Sequence, residues 1–201
     1  MFDINPFAEL SHSISPTIMQ GFVILMAVCV AGGTLYDVIH KGSAKYFFGL
    51  VKKGAAGKTR EVSFGEKVSV VAKTTAHDVL ASGEFCNFRR RLAHLLTMYG
   101  FLAYVIATAT MVFAYPTTAT PAPALLVNVW WIGIIMLAAG CYWFWFFIRV
   151  DVAAEGNSPF RMVRADLFVV ALMVSASLGI IWGYLQVTDN FWSTFALGLY
   201  L

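Results

Sequence analysis

The sequence predicts an all-α integral membrane protein: a bundle of four transmembrane helices with an amphipathic helix in a cytoplasmic loop. Of its 201 residues, 59% are hydrophobic and only 12% are charged. The mean hydropathy of +0.72 is well above that of a water-soluble domain. The charged residues gather in segments between long apolar stretches, so we expect one membrane domain over residues 1–201.

Four apolar stretches are long enough to cross about 30 Å of hydrocarbon as helices. They cover approximately residues 16–40, 92–115, 124–148 and 167–187. Serine followed by proline, at Ser15 and again at Ser158, predicts the start of a helix, since proline at the first helical position lacks an N–H that would be unpaired there. The final segment, FWSTFALGLYL, is too short to span, and we expect it at the membrane interface or against the bundle.

The distribution of basic residues predicts the topology. All fourteen Lys and Arg residues lie in two segments: eleven within residues 41–91 and three within residues 149–166. Because basic loops stay on the cytoplasmic side of a membrane, we expect both segments in the cytoplasm. The predicted location is the bacterial inner (cytoplasmic) membrane, with several spans and both termini on the non-cytoplasmic side.

The loop 41–91 carries a net charge of +7 and contains a turn-like stretch, KKGAAGKTR, followed by a helical pattern from Gly65 to Ala81. Apolar residues repeat there at helical spacing, which predicts an amphipathic interfacial helix. Two interpretations stay open: adhesion to anionic membrane lipid and docking of a soluble acidic partner. Nucleic acid is not an expected partner, because no aromatic residues alternate with the basic ones.

The cysteines, the carboxylates and the small residues of the spans disfavour some classes of site and indicate how the helices pack. The three cysteines form no CxxC pair, so we expect no iron–sulfur or structural zinc site built by this chain alone. No carboxylate lies at the middle of a span, which disfavours an ion-coupled transporter. Small residues recur every fourth position in the last span, a ladder that predicts close helix packing: Ala171, Ser175, Gly179 and Gly183.

His94 follows three arginines and lies about one turn inside the second apolar stretch, while His40 ends the first stretch at a similar depth. His94 has three possible interpretations. It is an interfacial histidine bonded to a backbone carbonyl or a lipid phosphate; it is a quinone-site group that hydrogen-bonds a quinone carbonyl and passes a proton, with Arg91, Tyr99 or Asp37 nearby; or it ligates haem b together with His40.

Three segments carry a resemblance to a known group of proteins. SFGEKV, RRRLAHLLTMYGFLAYVIATATMVF and NSPFRMVRADLFVVALMVSASLGIIWGYL, in this order, resemble the membrane subunits of cytoplasmic redox complexes in sulfur metabolism. These are the NarI-like di-haem subunits, including the quinone-interacting subunit QmoC, and the match covers roughly residues 64–187. The matching positions are His94, Gly100, Phe101, Thr108, Asp166 and Phe168.

The chain departs from these relatives in having few histidines: Ala122 stands before Pro123, where the relatives often carry a haem histidine. With four spans and few histidines, it resembles the membrane anchor associated with adenylylsulfate reductase in sulfur oxidisers, the AprM-like family. That resemblance implies a cytoplasmic flavin and iron–sulfur enzyme as partner, with its electrons linked to the quinone pool. A cofactor-free structural subunit of a larger membrane complex is the alternative, and a small transporter is disfavoured.

Overall fold

A computed structural model of the chain describes residues 3–57, 60 and 62–188, and over these residues it contains helices and no strands. The segment FWSTFALGLYL lies outside them. The α-helices are α1 (Pro6–Leu10), α2 (Pro16–His40), α3 (Ser43–Ala56), α4 (Phe64–Thr74), α5 (Phe88–Ala114), α6 (Ala124–Trp143), α7 (Val150–Ala153) and α8 (Leu167–Val187). Two π-helical turns, Thr75–Leu80 and Phe144–Ile148, continue α4 and α6, and a short 3₁₀ turn, Arg164–Asp166, precedes α8.

Four helices are long and apolar enough to cross a membrane, which confirms the predicted fold class and its four spans. They are Pro16–His40, Phe88–Ala114, Ala124–Ile148 and Arg164–Val187. The second begins four residues before the predicted boundary, because the Asn87 side chain caps it by accepting a hydrogen bond from the N–H of Arg89 at 2.9 Å. The arginines therefore belong to the first turn of α5.

The closest helix pair is α5 and α6, whose backbones touch at glycines. A Cβ added at Gly100 would lie 2.8 Å from the carbonyl oxygen of Gly133, and one added at Gly133 would lie 2.7 Å from the backbone nitrogen of Tyr104. Real Cβ atoms do not approach so closely, so only glycine fits these positions. Ala93 and Ala107, seven residues either side of Gly100, are also buried. The small residues thus hold α5 and α6 at backbone contact.

Helix α8 packs against α6. Gly183 lies under the ring of Trp130, where an added Cβ would come within 2.7 Å of the ring, and Gly179 is buried. Ala171 and Ser175, however, are exposed. Of the four residues in the predicted ladder, only Gly179 and Gly183 are therefore buried within this chain.

A short helix that the sequence analysis did not predict, α1, covers one end of the bundle. Asn5 is its N-cap and accepts a hydrogen bond from the N–H of Phe7 at 3.0 Å, while its amide nitrogen donates to the carbonyl of Tyr115 at 2.9 Å. The Phe7 ring lies 5.9 Å from Trp130 and 5.2 Å from Trp182. The N-terminal segment is thereby part of the core.

Helices α2, α3 and α4 lie at the periphery. Helix α2 contacts the bundle near its N-terminus, where Met19 is buried and Gln20 donates a hydrogen bond to the carbonyl of Val112 at 3.2 Å. Neither α3 nor α4 contains a buried residue. Helix α4 and its π-helical turn confirm the predicted helix over 65–81. The turn expected within KKGAAGKTR begins later, since α3 continues to Ala56.

The loop between α6 and α8 is organised by a buried guanidinium. Arg149, 4% exposed, pairs with Asp166 at 2.6 Å and donates to the carbonyls of Pro159 and Arg161 at 3.1 and 2.9 Å. The helix start predicted at Pro159 is wrong. The carbonyls of Pro159 and Arg161, which a helix would use in its own backbone hydrogen bonds, accept from Arg149 instead. The Ser158 hydroxyl accepts a hydrogen bond from the N–H of Phe160 in a turn.

Candidate functional site

A cavity of about 310 Å³ opens between α5, α6 and α8, at the arginine-rich end of α5. This volume is at the lower end of the range for small-molecule sites, which is about 300–1,000 Å³. Its walls are chiefly apolar. The lining includes Arg90, His94 and Thr97 from α5, Cys141 and Phe144 from α6 and its π-helical turn, and Phe168 from α8.

His94 is the histidine in this cavity, and two neighbours hold its ring. The Nδ1 atom lies 2.9 Å from the hydroxyl oxygen of Ser82, within hydrogen-bond distance. The ring centroid is 5.0 Å from that of Phe85, which also lines the cavity. Within residues 3–57, 60 and 62–188, Ser82 is the hydrogen-bond partner of His94. Nε2 is therefore the ring nitrogen left for a ligand.

Ser82 occupies an unusual position for a serine. It is 1% exposed and its φ of 50° is in the left-handed region, which residues other than glycine rarely adopt. Its neighbour Gly83 donates its N–H to the carbonyl of His77 at 2.7 Å. The chain turns sharply here and brings the hydroxyl to the imidazole.

Two further predicted site residues hold the same turn without lining the cavity. The Arg91 guanidinium donates to the carbonyl of Ala81 at 2.7 Å, and the Tyr99 hydroxyl donates to the carbonyl of Leu80 at 2.7 Å. The structure thus brings Arg91, His94 and Tyr99 together around residues 80–82. Only His94 lines the cavity, and the other two support the segment that holds it.

The basic residue at the cavity is Arg90, which the sequence analysis did not select. Arg90, His94 and Thr97 are spaced at i, i+4 and i+7, so they share one face of α5, and all three line the cavity. That spacing was the available signal. Ser82 had no comparable signal, because its contact with His94 depends on the turn before α5.

Asp37 and His40 lie elsewhere. Asp37 is exposed and pairs with Lys41 one turn further along α2 at 2.8 Å. The exposed ring of His40 stacks on Tyr36, with 5.4 Å between centroids. Neither residue lines the cavity, and among the described residues no contact joins His40 to His94.

The residues at the cavity fit a flat apolar ligand better than a haem. Two imidazoles would have to approach one iron to hold a six-coordinate haem b, and of the two candidates His94 lines the cavity whereas His40 does not. A quinone ring needs apolar walls and a hydrogen-bond donor at a carbonyl, and the cavity offers Phe144, Phe168 and the His94 imidazole.

Comparison with protein-family models, with curated proteins and with solved structures finds no match. The resemblance to the membrane subunits of sulfur-metabolism complexes therefore stays a prediction. The geometry of the cavity is the observation on which a functional proposal can rest.

Proposed function

We propose that this multi-pass protein is a membrane subunit of a respiratory redox complex. It binds a quinone in the cavity beside His94 and anchors a cytoplasmic iron–sulfur and flavin enzyme, of the adenylylsulfate reductase type, whose electrons it links to the quinone pool. The observation that carries the proposal is an apolar cavity with an imidazole in its wall, located at the arginine-rich end of the spans.

The chemistry expected of His94 is the donation of a hydrogen bond. With Nδ1 engaged by Ser82, Nε2 is the atom that would meet a quinone carbonyl oxygen. Reduction of a quinone takes up two electrons and two protons, and an imidazole hydrogen-bonded to the carbonyl is positioned to deliver one of those protons. The electrons would come from the partner enzyme.

The charge distribution supports docking on the cytoplasmic side. The basic segment 41–91 lies at the same end of the spans as the cavity, as does the segment 149–166, so an enzyme bound there would reach the quinone over a short distance. The 149–166 segment is pinned by the Arg149–Asp166 pair. A pre-ordered loop loses less conformational entropy when a partner binds it.

The direct test is quinone binding by the purified chain in detergent, with no partner present. We expect a short-chain ubiquinone or menaquinone analogue to bind the unmodified protein, and His94→Leu to abolish binding. His40→Leu is the matched control, since that residue lies outside the cavity, and it should bind normally. Equal binding by both variants would remove His94 from the site and leave the quinone proposal without its main support.

A cofactor-free structural subunit is the second candidate, and the surface of α2 favours it. This 25-residue span buries only Met19 within the described chain, so another subunit has room to pack on it. Substitution of Ala171 separates the two candidates better than substitution of Gly179, because Ala171 is exposed whereas Gly179 is buried inside this chain. Under the structural proposal, Ala171→Leu dissociates the complex and His94→Leu changes nothing.

A further inference from the structure

Helix α3 has two sharply different faces. On a helix of about 3.6 residues per turn, Lys45, Lys52 and Lys53 fall on one side together with Gly49, and Phe47 lies opposite them. No acidic residue occurs between residues 41 and 57. The helix is therefore purely cationic on one face and aromatic or aliphatic on the other.

The apolar face of α3 is not covered by the rest of the described chain. Phe47 is 60% exposed, and Leu50 and Val51, which lie three and four residues further along and share its face, are 49% and 53% exposed. The whole helix contains no buried residue. Soluble proteins rarely expose a contiguous apolar patch of this kind. A medium that takes up apolar side chains must cover this face.

The position of α3 along the chain identifies that medium. It begins at Ser43, three residues after the membrane span α2 ends at His40. Between them Gly42 has a φ of 63°, a left-handed conformation that ends α2 and starts α3 in a new direction. Because so few residues separate the two helices, α3 begins at the membrane surface at which α2 emerges.

We propose that α3 lies in the headgroup layer of the leaflet at the arginine-rich end of the spans, and that Lys45, Lys52 and Lys53 bind anionic phospholipid there. A helix with lysines on one face and aromatic residues on the other has the composition of an in-plane membrane helix. A soluble acidic protein would satisfy the lysines but would leave the aromatic face in water. This assignment gives the first part of the 41–91 segment to lipid and leaves α4 and the 149–166 segment for a protein partner.

The inference does not depend on quinone binding, and it is tested on the full chain in nanodiscs. A spin label is placed at Phe47→Cys or at Gly49→Cys, in a background with the three native cysteines replaced by alanine. We expect the label at position 47 to be relaxed by oxygen, which partitions into lipid, and the label at position 49 to be relaxed by a water-soluble nickel chelate. The short-chain quinone titration, run on the same nanodiscs, reports on the cavity separately.

Charge is tested with matched double variants. Each lysine near an anionic surface contributes roughly a fivefold factor to binding, so Lys52→Gln with Lys53→Gln should lower the ratio of membrane-bound to detached α3 about 25-fold in phosphatidylglycerol nanodiscs. Removing the same charge from α4, through Lys67→Gln with Lys73→Gln, should leave the label on α3 unchanged.

Three results would overturn the proposal. One is a position-47 label that stays accessible to the nickel chelate, which would place α3 in water. Another is a bound fraction that is the same in phosphatidylcholine and phosphatidylglycerol, which would remove the lysines from the interaction. The third is a position-47 label shielded from both relaxants, which would indicate packing against a second copy of the chain.

Discussion

Replacing Ser82 by glycine should separate the orientation of the His94 ring from the stability of the turn that supports it. The hydroxyl of Ser82 is 2.9 Å from Nδ1 of His94, and the backbone of Ser82 is left-handed with a φ of 50°. Glycine adopts that conformation without steric conflict, whereas alanine does not. Both Ser82→Gly and Ser82→Ala therefore remove the hydroxyl, but only the alanine variant keeps the strain of a left-handed backbone at residue 82.

The two substitutions should differ in stability and agree in ligand binding. Loss of the hydrogen bond costs about 0.5–1.5 kcal/mol, and relief of the left-handed strain returns about 1–2 kcal/mol to the glycine variant only. Ser82→Gly should thus be close to the unmodified protein in stability, while Ser82→Ala is destabilised by about 1 kcal/mol. Both free the ring, so the quinone affinity of each should fall by about fivefold, corresponding to about 1 kcal/mol.

Nuclear magnetic resonance of ¹⁵N-histidine protein is the assay, with a parallel quinone titration. In the unmodified protein the Nδ1 and Nε2 shifts of His94 should report one dominant tautomer. In both variants they should report a mixture, because the partner that selects the tautomer is gone. His94→Gln removes one of the four histidine signals and thereby assigns the signal of His94. Unchanged shifts and unchanged affinity in Ser82→Gly would refute the reasoning, since the hydroxyl would then not position the ring.

Two further pairs of substitutions, each with its control, test how the bundle is held together. Gly133→Ala should lower stability by about 1–3 kcal/mol through overpacking, whereas Gly21→Ala, where an added Cβ meets nothing within 4 Å, should be neutral or stabilising; thermal unfolding in detergent measures both. Asp166→Asn should destabilise by about 3–5 kcal/mol, because it removes the carboxylate that pairs with the buried Arg149 guanidinium. Glu66→Gln, in a pair whose side chains are 71% and 41% exposed, should change stability by less than about 1 kcal/mol. Equal losses in either pair of variants would contradict the assignment.

The four spans could be predicted from the sequence because hydropathy over a membrane thickness is a local property. The packing of those spans could not, since it depends on which faces meet. The predicted ladder was drawn by counting every fourth residue of one helix, yet the closest approach uses Gly100 and Gly133 on α5 and α6. Small residues seven apart, such as Ala93 and Gly100, were the sequence signal for that contact.

The short helices show the same limit in another form. Asn5 before Pro6 is the same kind of capping signal that predicted the start of α2 at Ser15, and it does begin a helix. The identical signal at Ser158 does not, because the Arg149 side chain donates to the carbonyls of that segment. A cap predicts a helix only where no distant group competes for the backbone.

At the site, the histidine was identifiable because an imidazole at the edge of an apolar span is chemically conspicuous. Its neighbours were chosen by depth in the membrane, and depth does not specify which side of a helix a residue faces. Arg91 and Asp37 were selected on that basis, whereas the helix geometry places Arg90 at the cavity. Ser82, the hydrogen-bond partner of His94, lies in a turn. Its left-handed residue is a serine and not the usual glycine, so the sequence carried no signal for that turn.

The connection between Ser82 and His94 also links the cavity to the α4 segment. Residues 80–82 are bonded to α5 through the side chains of Arg91, His94 and Tyr99. They are the last residue of the π-helical turn that ends the α4 segment and the two residues after it. A ligand that hydrogen-bonds His94 therefore acts on a residue that also holds this turn. An enzyme that docks on α4 acts on the same turn from the other side. Because linkage is reciprocal, any effect of docking on quinone affinity must be matched by an equal effect of quinone on docking.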